Sequence, residues 1–262
     1  MENISSIHLQ EVVLSSSDPK ISTQISKLEK AGKLRKIASR IYSSNFEDTP
    51  GDIVRRNIFT ILGRLYTGAL LSHRSALEFK PTSADQLFIT YSYTKKITIP
   101  GITLRFLEGP GPIEGDNPLS GELYASQQER ALLENLQVSR RPGPESKTLT
   151  LPEVEERLEQ VIRVKGEAGL NELRDRARDI AEKLGMHSEF EKLNKLISAL
   201  LNTKPSKILS SPIAVARALG APYDPSRISL FEKLFVELKQ RQFRDSPEKN
   251  ATTQSFRNFA FF

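Results

Sequence analysis

The sequence predicts an α+β fold that is mainly helical, with an N-terminal winged helix-turn-helix, a small α+β middle domain and a C-terminal helical block. Three observations predict it. Helical spacings in the first 45 residues lead into two short β-branched runs, the order of a helix pair followed by a wing. Runs rich in β-branched and aromatic residues, Leu87 to Ser92 and Ile97 to Phe106, then sit between helical stripes. Beyond residue 150, apolar residues recur at spacings of 3 and 4. A chain of 262 residues holds two or three such domains, and the boundaries read as residues 1–45, 46–139, 140–250 and 251–262.

Each element has its own signal. Ile4 and Ile7 begin a helical spacing, so a short first helix is expected over residues 4–14. Ser15-Ser-Ser-Asp-Pro19 punctuates the chain, with Asp18 or Ser17 as N-cap and Pro19 in the first turn. Ile21, Ile25 and Leu28 carry a second helix, and Gly32 suits its C-terminal exit. Leu34 and Ile37, then Ile41 and Tyr42, read as a small hairpin across Ala38-Ser39-Arg40. Pro50-Gly-Asp52 opens a helix with Ile53, Ile58, Ile61, Leu62 and Leu65 on its apolar face, ending by Gly68. Ser72 N-caps a short helix through Glu78. Leu123-Tyr124 is a short strand, and Ser126 caps a helix to about Leu136, with Glu129 at the capping-box position. Arg140 to Ser146 is a linker. Helices then follow around Leu151 to Val161, Leu170 to Leu184, Phe190 to Leu201, Ile213 to Leu219 and Ile228 to Leu238. Such apolar stripes are read as core.

Charge is unevenly distributed. The chain carries 38 Lys+Arg and 32 Asp+Glu, a net +6. Residues 19–45 alone hold seven basic residues and one acidic residue, Glu29, so their local charge equals the total. The charges beyond residue 140 alternate in sign along helices, the pattern of solvated faces. A basic unit coinciding with a winged-helix pattern points to double-stranded DNA. The second helix presents Lys20, Ser22, Thr23, Gln24 and Lys27 to base edges and phosphates, and the wing presents Lys33, Arg35, Lys36 and Arg40. Salt-sensitive DNA binding, lost on Lys27→Glu with Arg35→Glu, is the expected behaviour. The other reading keeps this unit for protein contacts alone. A homodimer on a palindromic site is an arrangement the sequence leaves open.

Other chemistry finds little support. With no Cys, a thiol nucleophile and a Cys-ligated metal are excluded. The three His, at 8, 73 and 187, form no HExxH pair, so no metal ligand is assigned. His73 beside Ser72 and Ser75 lacks a Gly-x-Ser-x-Gly elbow and reads as a capping or packing residue, while His187 reads as loop. Gly109-Pro-Gly-Pro-Ile-Glu-Gly115 contains prolines where a phosphate cradle needs N–H groups, and reads as a plain loop. No catalytic residue and no cofactor is expected. No signal peptide or run of 18 apolar residues is seen, so no membrane association is expected and the cytoplasm is the expected location.

Two resemblances have residues behind them. Lys30-Ala-Gly-Lys-Leu-Arg-Lys-Ile-Ala-Ser-Arg-Ile-Tyr42, Leu71-Ser-His-Arg-Ser-Ala-Leu77 and Ser126-Gln-Gln-Glu-Arg-Ala-Leu-Leu133 occur in the order of the AbiEi-type antitoxin family. The stretch from about 14 to 137 resembles that family, which implies a winged-helix repressor counteracting a toxin. The helical block after 150 and the ending Ser255-Phe-Arg-Asn-Phe-Ala-Phe-Phe262 resemble the N-terminal part of long Fic-family proteins. That implies a truncated or separately encoded regulatory half whose partner is a toxin or a Fic catalytic domain. The Fic core motif beginning His-Phe is absent, so no AMP-transfer activity is expected of this chain.

Overall fold

The computed structural model describes residues 7, 9–138 and 145–202. The chain divides into two compact units, Met1–Leu200 and Leu201–Phe262. The helices expected at 213–219 and 228–238, and the Phe-rich ending, lie outside the described residues, as do His8 and most of the linker. The fold is α+β with a helical C-terminal block.

The first unit has a strand where a helix over residues 4–14 was expected. The Gln10 N–H donates to the Ile7 carbonyl (3.2 Å), closing one tight turn, and Val12–Leu14 is a strand, β1, rather than the end of a helix. The β-branched pair Val12-Val13 favours extended backbone, and β1 finds a partner in β3 (Ile41–Ser43), which also pairs with β2 (Arg35–Ala38). All pairings are antiparallel, in the order β1-β3-β2. One helix of the expected pair is therefore present among the described residues: α1, Pro19–Lys30. Asp18 caps it by accepting from the Lys20 N–H (2.8 Å).

This small sheet is covered on both faces. Val13 packs with Ile25, Leu28 and Leu34 beneath α1. Val12, Leu14, Ile37 and Ile41 face the other way, into a core shared with α2 (Pro50–Leu65). Glu11 ties the same junction. It accepts from Arg56 and Asn57 on α2 and from Asn45, and Arg56 also pairs with Asp48 (2.5 Å). The Arg56 bonds first, then Asn57, hold the Glu11 carboxyl down at about 2.

The second sheet has six strands in the order β6-β7-β5-β4-β9-β8. They are β4 (Leu70–Leu71), β5 (Gln86–Tyr91), β6 (Lys95–Ile99), β7 (Ile102–Glu108), β8 (Asn117–Pro118) and β9 (Tyr124–Ala125). The run expected at Ile97 to Phe106 is two strands, because Pro100-Gly101 turns the chain and Gly101 has φ 73°. β7 pairs in parallel with β5, and β9 with β4. The outer strands are β6, with exposed Lys95 and Lys96, and β8, with Pro118. Ile58, Ile61 and Leu62 of α2 bury against Leu87, Ile89, Leu104 and Phe106 of the sheet.

Close backbone approach seats α2. Gly63 lies against the Ser120-Gly121 turn, so close that a Cβ there would stand 1.8 Å from the Ser120 carbonyl oxygen. The Glu122 N–H reaches the Gly63 carbonyl at 3.4 Å.

The remaining helices are α3 (His73–Glu78), α4 (Gln128–Asn135), α5 (Leu151–Leu184) and α6 (His187–Asn202). α5 kinks at Gly166 (φ 70°, ψ −172°), so its two halves match the two helices expected there. His187, expected in a loop, is the first residue of α6, because the break falls earlier, at Gly185. Arg74 of α3 joins α5 through Glu153 (2.5 Å), and the Leu149 N–H donates to Asn135 of α4 (2.7 Å). No described helix is long and apolar enough to cross a membrane.

Candidate nucleic-acid interface

The sequence-predicted DNA face resolves into one coherent stripe and several residues that leave it. On α1, Ile25 and Leu28 are buried and define the inner side. Lys20, Thr23 and Lys27 follow at i, i+3 and i+7 on the exposed side, and all three are exposed. Lys30, three residues beyond Lys27, is exposed on the same stripe and was not among the expected contacts. Its spacing from Lys27 was the signal for it. Ser22 is exposed but turned about 200° round the helix from Lys20. Gln24 is half-buried, flanking the core side. The Thr23 hydroxyl donates to the Pro19 carbonyl (2.7 Å), which leaves its lone pairs to accept.

The hairpin sorts its own basic residues by strand alternation. Lys36 pairs with Tyr42, which packs in the core beneath α1, so Lys36 stands on the α1 face of the exposed edge strand. Arg35 pairs with Ser43 and stands on the opposite face, toward α2. There its guanidinium donates to the Asp48 carbonyl and lies 5.6 Å from the centre of the Phe46 ring. Arg35 is therefore half-buried and tied down on that face rather than presented beside Lys36. Arg40 occupies the hairpin tip at φ 65°, and its Nε donates to Ser15 Oγ (3.3 Å). The Ser15 N–H returns a bond to the Arg40 carbonyl (2.9 Å). This pair docks the tip on the turn that leads into α1, at the Lys20 end of the stripe. Lys33, exposed, sits just past the other end.

Lys20, Lys27, Lys30, Lys33 and Lys36 form no ion pair among the described residues. Elsewhere several charges are engaged, most of all around Arg130, whose side chain is fully buried. Its guanidinium meets Asp116 (2.6 Å) and Glu134 (2.9 Å) and donates to the carbonyls of Pro110 (2.8 Å) and Gly111 (3.0 Å). The proline-rich loop is thus a loop, as its composition implied, and its carbonyls clamp a cation. Ser126 does not cap α4. Gln127 takes that position, and the Ser126 hydroxyl donates to the Glu134 carboxylate (3.0 Å), while Glu129 pairs with Arg176 (2.8 Å). Burial raises the Glu134 carboxyl above its ordinary range, against the lowering influence of Arg130 and its hydrogen bonds.

His73 packs beside this cluster. Its Nδ1 lies 3.0 Å from Ser72 Oγ and its Nε2 lies 3.2 Å from Gln137 Oε1, a donor and an acceptor that suit a neutral ring. Burial, then the nearby Lys147 charge, pushes the imidazole down to about 3. In the unfolded chain it titrates near 6.5. Between those values the unfolded chain binds a proton that the folded chain refuses, so stability falls as pH drops through that window. Wild-type stability should fall by about 2 kcal/mol between pH 7 and pH 5 through this group alone. Urea unfolding at both pH values checks it. His73→Asn, which tolerates the φ of 53°, should lose the slope assigned to His73, because Glu134 contributes to both proteins alike. An unchanged slope in the variant would reject the assignment.

No group of three His, Cys, Asp or Glu placed to hold a metal occurs among the described residues. No family model matches the chain, and neither a curated protein nor a solved structure does so with significance.

Proposed function

We propose that this chain binds double-stranded DNA through the exposed side of α1 and the edge of its hairpin, as a transcriptional regulator of the antitoxin type. The observation that carries this is the set of lysines at 20, 27, 30, 33 and 36, grouped on one helix face, the turn after it and one strand edge, without an acidic partner among the described residues. A row of free ammonium groups is suited to displacing counterions from phosphates. The short polar Thr23 within the row is suited to a base edge. The resemblance to AbiEi-type antitoxins supports the same reading, and the toxin or Fic domain as protein partner rests on the resemblances alone.

A fluorescence anisotropy titration against the duplex upstream of its own gene tests it. Four phosphate contacts should weaken binding about 100-fold between 50 and 200 mM salt. Lys20→Glu with Lys27→Glu should cost at least about 30-fold at low salt. Arg35 is a poor choice for this test, since its loss would disturb the Asp48 contact instead. Lys195→Glu on α6 should leave binding unchanged. No binding at low salt, or equal binding by the double variant, would overturn the proposal in favour of a protein-interaction module.

A further inference from the structure

A pocket of about 320 Å³ opens between α3, β8, the start of α4 and the first half of α5. That volume falls at the lower end of small-molecule sites. Its lining contains two cations, Arg157 and Lys165, and no carboxylate. Arg157, Gln160 and Lys165 follow one another at i, i+3 and i+8, on the side of α5 that faces α3 and α4. Arg157 is half-buried, yet neither it nor Lys165 makes a hydrogen bond or ion pair among the described residues. The Arg157 guanidinium nitrogens are not buried, so its charge stands open to an anion that enters the pocket.

Three further features complete the site. Asn117, Gln128 and Gln160 bring amide groups that donate and accept. Phe79 caps α3 in the left-handed region (φ 51°), a costly conformation for a bulky residue, and is 46% exposed. The Lys165 stem lies where Gly169 has no side chain. A Cβ on Gly169 would stand 2.3 Å from Lys165 Cβ. We propose that this pocket binds a small organic anion carrying a flat ring, of the nucleoside monophosphate class. The anionic group pairs with Arg157 and Lys165, the ring lies on Phe79, and the amides meet its polar edge. This site is separate from the basic side of α1.

Isothermal titration of the full chain with adenosine monophosphate tests the assignment. Saturable binding is expected below about 1 mM, with adenosine and inorganic phosphate each at least about tenfold weaker. Arg157→Gln should weaken the monophosphate about tenfold or more. Lys165→Gln, at an exposed position, should weaken it about threefold to tenfold and serves if the first variant fails to fold. Lys20→Glu with Lys27→Glu should bind it as the wild type does. No saturation, phosphate binding as well as the nucleotide, undiminished affinity in Lys165→Gln, or loss in the α1 variant would each overturn the proposal.

Discussion

Replacing Arg130 with methionine should cost about 3–5 kcal/mol of stability. Methionine fills much of the same volume and carries no charge. It leaves the Asp116 and Glu134 carboxylates facing each other across the place where the guanidinium stood, and it orphans the Pro110 and Gly111 carbonyls. The Ser126 hydroxyl and the His73 N–H still reach Glu134, but neither supplies a positive charge. Arg130→Lys keeps the charge and loses the fork, so an intermediate loss is expected. The deficit of the methionine variant should shrink as pH falls from 7 to 5. A buried carboxyl whose pKa is raised on folding takes up a proton more readily in the folded state, so it gains stability as pH falls. Chemical denaturation at two pH values reads both effects. A deficit below about 1 kcal/mol at pH 7 would mean that the cluster is accessible to water.

Gly63→Ala should destabilise the protein by about 3 kcal/mol, although alanine is the better helix former by about 1 kcal/mol. The new methyl would enter the Ser120 backbone, which has no flexible end to yield. The turn it meets is fixed by Gly121 at φ 63° and by the bond between Thr60 and Ser120 hydroxyls (3.2 Å). Relief would require α2 to lift from the sheet, giving up contacts of Ile61 and Leu62, both essentially inaccessible. Gly111→Ala, with open space around it, should stay within about 0.5 kcal/mol of wild type. Thermal unfolding of the two variants side by side checks the contrast, and equal melting temperatures would refute the packing argument.

The long helices were legible in the sequence because their apolar spacings repeat over several turns, as in Leu170, Leu173, Ala177 and Ile180. The caps at Asp18, Thr49 and Ser72 mark boundaries that the structure keeps, although the sequence offered only the first and last of these. β1 was not legible. Three residues are too few to show a period, and the isoleucines before it imitate a helix. The proposed DNA face was half legible. Composition located the basic segment, but the inward turn of Arg35 depends on register, which only pairing with Ser43 reveals. The Arg130 cluster was hidden for a different reason. Arg130 and Glu134 at i and i+4 look like an ordinary solvated pair, and nothing local announces that the helix is buried from Glu129 onward. Ser126 followed by Glu129 satisfied the capping pattern, yet a buried carboxylate eight residues on had the stronger claim to its hydroxyl.

The two margins of the six-stranded sheet differ in chemistry and share a consequence. At β6, the exposed ammonium groups of Lys95 and Lys96 would meet their own kind if a second molecule tried to extend the sheet there. At β8, the strand is only two residues long and one of them, Pro118, has no N–H to offer an incoming chain. Both ends therefore refuse to template further strands, which guards the folded protein against ribbon-like self-association even when it is crowded.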